Sequence, residues 1–244
     1  MMSALNALLL SSSRAGDSPY LAHTKAWIKP LIAGKRVLFV PYAGVGMAPG
    51  EYRDKVASAL ADCGAEAFDC LSCSDNPQAA IAAAQVIMVG GGNTFCLLAA
   101  LQRQQLLNAM QHRLNQGAIY IGWSAGANLA GLSIRTTNDM PIVEPESFQA
   151  LALLPVQLNP HYSDYQPEGF HGETRDQRLA EFMRVAANTP ILAIREGTAL
   201  RIEQQQMRLL GERDGAVFLN GEKHALVAGE DCSEWLSYIA KRSV

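Results

Sequence analysis

Lysines and arginines gather into no run anywhere in this chain. There are 20 basic residues against 23 acidic ones, for a formal net charge of −3. Binding to phosphate backbones needs clustered cations, so nucleic acid is excluded as a partner. Apolar runs are equally short. None approaches the roughly 20 residues of a membrane-spanning helix, and no membrane association is expected. The apolar start lacks the basic stretch of a secretory signal. Ala7-Leu8-Leu9-Leu10 followed by Ser11-Ser12-Ser13 reads instead as a first strand and its turn. The five cysteines (Cys63, Cys70, Cys73, Cys96 and Cys232) are odd in number and set no disulfide framework, which suits a reducing, cytoplasmic setting. Cys70 and Cys73 stand as C-x-x-C with no second pair, so no metal is assigned.

Nucleotide signatures are missing too. No G-x-x-x-x-G-K-[ST] occurs. Gly44, Gly46 and Gly50 follow an apolar run, with Asp69 ending the next one, but their spacing is G-x-G-x-x-x-G. Pro49 also removes an N–H where a pyrophosphate would need one. The segment reads as a plain loop, and no cofactor is expected. Repeats, low-complexity stretches and linkers are likewise lacking, which makes residues 1–244 one domain.

What is present is alternation. Apolar runs at 7–10, 36–40, 65–70, 86–89, 118–121, 156–158 and 191–194 read as strands, with helical patterns at 52–63, 94–107 and 108–116. Several runs are continuously apolar and so are covered on both faces. The expectation is an α/β fold with a doubly wound, mostly parallel sheet. After residue 202 the pattern changes to short strands with glycine turns, read as antiparallel edge hairpins before a terminal helix from about Cys232.

The most informative pentapeptide is Gly122-Trp123-Ser124-Ala125-Gly126, placed where a buried strand hands over to a helix. That is the context of a nucleophile elbow, whose glycines permit the tight turn that pushes the serine outward. A serine there has helix N-terminal N–H groups beside it. Gly90-Gly91-Gly92-Asn93-Thr94 follows another strand and offers bare N–H groups. It reads as one half of an oxyanion hole, with the N–H of Ala125 as the other, or else as a tight turn.

A serine nucleophile needs a base, and the chain has five histidines. His23 and His112 fall in amphipathic helical contexts, His224 in a hairpin, and His171 in a glycine-flanked loop. His161 follows a strand directly after Asn159-Pro160, where the proline restrains the backbone. For the group that orients the base, Glu196 lies just past the 191–194 run; Asp139 and Glu144 are rivals. The order Ser124, His161, Glu196 differs from that of α/β-hydrolases.

Five segments taken in order make this sequence resemble peptidase E, the α-aspartyl dipeptidase family of serine peptidases. They are Val89 to Phe95, Gly122 to Asn128, Thr136 to Ile142, Leu158 to His161, and Gly172-Glu173-Thr174-Arg175. The resemblance implies hydrolysis of dipeptides with an N-terminal aspartate, without a metal. It also implies a fold like class I glutamine amidotransferases, which is flavodoxin-like. By position it implies Ser124 as nucleophile, His161 as base, Glu196 as orienter, and Gly92 and Ala125 as oxyanion donors. An aspartate substrate calls for a guanidinium, since Arg grips carboxylates with two donors. Arg175 is the first choice; Asp139 or Glu144 would meet the α-amine. A homodimer is admitted. Other readings are a hydrolase of β-aspartyl or cyanophycin-type peptides, and a non-catalytic small-molecule binder.

Overall fold

The computed structural model describes residues 4–169 and 171–238. In the first half, strands and helices alternate. They are β1 (Ala7–Leu10), α1 (Lys25–Ile32), β2 (Arg36–Val40), α2 (Pro49–Ala59), β3 (Ala67–Cys70) and α3 (Pro77–Ala83). Next come β4 (Val86–Val89), α4 (Thr94–Arg103), α5 (Leu107–Asn115), β5 (Ile119–Trp123) and the one-turn α6 (Ala125–Asn128). The second half carries β6 (Gln157–Asn159), α7 (Arg175–Val185), β7 (Ile191–Ala193), β8 (Ala199–Glu203), β9 (Gln206–Leu210), β10 (Gly215–Leu219) and β11 (Glu222–Leu226).

A seven-stranded sheet in the order β3-β2-β4-β5-β1-β8-β9 forms the body, parallel from β3 through β1. Side chains alternate faces along a strand, and here both faces are apolar. Leu8, Leu10, Val37, Phe39, Val86 and Met88 point into a layer with Ile28 and Ile32 of α1 and Val56 of α2. Their neighbours Leu9, Leu38, Val40, Ile87 and Val89 point into the opposite layer, with Leu97 and Leu101 of α4 and Met110 and Leu114 of α5. This is why these strands read as unbroken apolar runs. Among the described residues no helix is long and apolar enough to cross a membrane.

The structure departs from expectation at the second half. β6 and β7 do not join the large sheet. They pair in parallel with each other in a separate four-stranded sheet, ordered β11-β10-β7-β6. The free edge of β1 is instead taken antiparallel by β8, a strand absent from the sequence reading, so no position beside β1 remains. The anticipated antiparallel hairpins at the edges exist: β10 pairs with β11 as read, whereas the partner of β9 is the unread β8. The 94–107 helix ends at Arg103, where Gln105 adopts a left-handed φ of 55°. The terminal helix reduces to a 3-10 turn at Ser233–Leu236; residues past 238 lie outside the described part.

Candidate active site

β5 delivers its last residue, the buried Trp123, against Phe39, with rings stacked at 6.0 Å. Ser124 follows with φ 53° and ψ −115°, a backbone state that side chains rarely tolerate. The strain is held in place by neighbours: its N–H donates to Leu10 O at 3.1 Å, and its carbonyl accepts from Asn128 N at 2.9 Å. The flanking glycines are obligatory because the chain crosses itself here. A Cβ on Gly122 would sit 2.4 Å from Gly126 O, and one on Gly126 would sit 2.2 Å from Val89 O. The elbow expected from the sequence is therefore present.

Beside it, the loop after β4 is shaped by Gly92, whose φ is +135° and whose missing Cβ would fall 2.1 Å from Ala43 O. Asn93 N donates to that same oxygen at 2.8 Å. The N–H groups of Gly92 and Ala125 have no protein acceptor among the described residues.

His161 arrives from the second sheet. Its Nδ1 lies 2.7 Å from Glu196 Oε1, with side chains 38% and 52% exposed. With the Nδ1 proton directed at the carboxylate, Nε2 is left as an acceptor. His161 lines the same cleft as Ser124, a hollow of ≈ 640 Å³ that also meets Gly92, Tyr52 and Lys55. Ser124 and His161 thus converge from different sheets. The Ser124 hydroxyl makes no hydrogen bond among the described residues, as is common before substrate binds.

Buried polar groups that sequence reasoning missed hold this convergence. Ser11 Oγ, at the end of β1, accepts from His161 N at 2.8 Å and donates to Ile194 O at 2.8 Å. Its position just past a strand, on the edge where ligands collect, was the available signal. Asn128 of the elbow helix donates to Leu158 O at 2.5 Å, and Thr136 Oγ1 donates to the same oxygen at 2.9 Å. Asn159 Nδ2 reaches Thr136 O at 2.7 Å, and Asn138 Nδ2 reaches Pro160 O at 2.8 Å. The 136–142 segment is therefore a clamp on the strand that carries His161.

Asp139 belongs to that clamp. Its Oδ2 accepts from Thr94 N at 2.7 Å, Thr94 Oγ1 at 2.5 Å and Thr137 Oγ1 at 3.1 Å, capping the start of α4. That oxygen is thereby committed to protein donors. Glu144, the other rival, is exposed. Arg175 opens α7 after a capping box in which Thr174 Oγ1 accepts from Gln177 N at 3.1 Å. It has no ion-pair partner among the described residues, and burial, with Arg178 nearby, pulls its pKa down. It lines a separate hollow of ≈ 340 Å³ beside Asp164 and Tyr165, so the structure does not bring it into the Ser124 cleft. Of the other histidines, His112 bonds Gln116 and His224 pairs with Glu222; neither these two nor His23 and His171 line the cleft.

The loop after His161 is tied to Glu196's neighbour. Arg195 grips Asp164 through two hydrogen bonds of 2.6 and 2.7 Å, which hold that carboxyl well below the usual range. Tyr162 OH donates to Asp176 Oδ1 at 2.6 Å; burial first, then Asp176, push its pKa up to about 12.

Comparison with known proteins agrees with this geometry. The family model for peptidase family S51 matches residues 7–210. Peptidase E of Shewanella denitrificans is 51% identical over 235 residues, covering 96% of this chain and all of the relative. Peptidase E of Shewanella amazonensis is 49% identical, covering 95% and 99%. Among solved structures, a putative peptidase E from Listeria monocytogenes superposes with a TM-score of 0.65 at 23% identity, over 86% of this chain and all of that one. A peptidase from an acI-B1 actinobacterium gives 0.67 at 18% identity, over 93% and 96%. A strained serine sharing a cleft with a histidine–carboxylate pair, in a chain matched along most of its length, leaves one assignment: this protein belongs to peptidase family S51 and is a serine peptidase.

Proposed function

We propose that the chain is an α-aspartyl dipeptidase with Ser124 as nucleophile, His161 as base and Glu196 as orienter, in one catalytic domain of class I amidotransferase-like fold. The observation that carries this reading is the 2.7 Å His161–Glu196 contact opening onto the cleft of the strained Ser124. The five free thiols suit a reducing, cytoplasmic setting.

In this reading Ser124 Oγ attacks the scissile carbonyl while His161 Nε2 takes its proton. The N–H groups of Gly92 and Ala125 receive the oxyanion. Glu196 fixes the tautomer and stabilises the imidazolium. His161 returns the proton to the leaving amine, and water then enters on the same side to hydrolyse the acyl-enzyme. Arg175, half-buried and without a carboxylate, is the guanidinium assigned to the aspartate side chain. This assignment requires that Arg175 reach the cleft, which it does not line in this structure. Asp139 retains its substrate role only through Oδ1, since Oδ2 is occupied.

The deciding experiment compares kcat/KM for Asp-Leu, Asn-Leu, β-Asp-Leu and Leu-Leu, with Ser124→Ala alongside. Asp-Leu alone should be cleaved, with neutral first residues down on the order of 10² to 10⁴-fold. Preference for β-Asp-Leu would keep the triad and overturn the substrate.

A further inference from the structure

Among the described residues, Lys55 of α2 is the one Lys, Arg, Asp or Glu that lines the cleft holding Ser124 and His161. Lys55 has no ion pair among the described residues, unlike Lys25 and Lys223. Its ammonium lies 4.5 Å above the centre of the Tyr20 ring. A cation over an aromatic face is held without being neutralised, so it keeps its charge for an anion. Tyr20 is itself fixed: its ring packs edge-on against Trp123 at 6.5 Å, and its hydroxyl lies 3.4 Å from that of Tyr52. Tyr52 OH in turn donates to Gly91 O at 2.9 Å, beside Gly92. An aromatic wall thus joins the ammonium to the loop that faces the scissile carbonyl.

We infer that Lys55 binds the terminal α-carboxylate of the substrate and so sets its length at two residues; this rests on the dipeptidase reading above. A dipeptide with an N-terminal aspartate carries two carboxylates. With the side-chain carboxylate assigned to Arg175, the terminal one lies a single residue, about 3.8 Å of chain, beyond the scissile bond. It therefore stays inside the cleft, where the available cation is Lys55. A longer peptide presents an uncharged carbonyl at that place and gains nothing from the ammonium.

The test is Lys55→Met, assayed on Asp-Leu, Asp-Leu-amide and Asp-Leu-Leu, with Lys55→Arg as the conservative variant and, as a control for nearby charge, Arg14→Gln, whose guanidinium acts on Tyr20 from outside the cleft lining. Lys55→Met should raise KM for Asp-Leu about tenfold with kcat nearly unchanged. It should leave the amide and the tripeptide, already poor substrates, where they are in the parent; Lys55→Arg should restore most of the loss. An equal loss on Asp-Leu and its amide overturns the inference, as does no loss, or an equal loss from Arg14→Gln. Calorimetric binding of Asp-Leu and its amide to Ser124→Ala, with and without Lys55→Met, reads the same preference without turnover. If no Asp-X substrate is cleaved, the dipeptidase reading fails, whereas cleavage that ignores the terminal carboxylate defeats the Lys55 assignment alone.

Discussion

Asp164 and Arg195 meet fork to fork, Nη1 2.6 Å from Oδ1 and Nη2 2.7 Å from Oδ2. They stand three residues after His161 and one before Glu196. The pair therefore closes a short ring around His161 and Glu196, the base and orienter of the proposed reading. Lys223 adds a second cation 3.5 Å from Asp164.

Replacing Asp164 with Asn should lower kcat roughly tenfold, by loosening the base and its orienter, with little change in KM. Steady-state kinetics read this split; a change confined to KM would place Asp164 at the substrate instead.

The same pair gives a signed pH dependence. Arg195's hydrogen bonds hold the folded-state pKa of Asp164 below its unfolded value, which is about 3.9. Its contribution to stability is thus complete above about pH 4 and is lost as pH falls through the lower, folded-state value. Urea unfolding of the parent and Asp164→Asn should differ most at neutral pH and converge in acid.

Ser124→Ala should cost on the order of 10⁴-fold or more in kcat/KM, and Glu196→Gln roughly 10³-fold. A serine-directed phosphonate should label the parent stoichiometrically at residue 124, as read by peptide mass. Labelling elsewhere would remove Ser124 from the chemistry.

Asp139→Ala should destabilise the fold by about 1–2 kcal/mol, because Thr94 loses its cap at the start of α4. Urea midpoints measure this. A rise in KM with unchanged stability would return Asp139 to α-amine binding.

Gly126→Ala should destabilise by more than the 1–3 kcal/mol typical of overpacking, since its Cβ would meet backbone at 2.2 Å. The thermal midpoint should fall accordingly; an unchanged one would mean that the elbow can open.

The parts legible in the sequence were those with local chemistry. Ala7–Leu10 and Val86–Val89 are apolar throughout because both faces are covered, and their bounds were read correctly. The elbow showed itself through Gly122 and Gly126, the first required by a local crossing and the second by the backbone of neighbouring β4. Hidden were features decided by distant partners. Ile191–Ala193 looks like any buried strand, and only the capture of β1's edge by β8 sends it to another sheet. Arg175 carried a suitable chemistry, but the hollow it lines depends on where the start of α7 packs. Ser11 showed its place at the end of a strand but not its partners, which lie 150 and 183 residues away.

That last separation bears on how the protein is made. The hydroxyl of Ser11 joins the tip of β1 to residues 150 and 183 positions further along the chain, and β1 itself is flanked by β5 and β8. A nascent chain that has exposed the Ser124 elbow still lacks Glu196 and the strand that seals β1. In the proposed reading, hydrolysis therefore waits until stretches far apart in the chain have met on either side of β1.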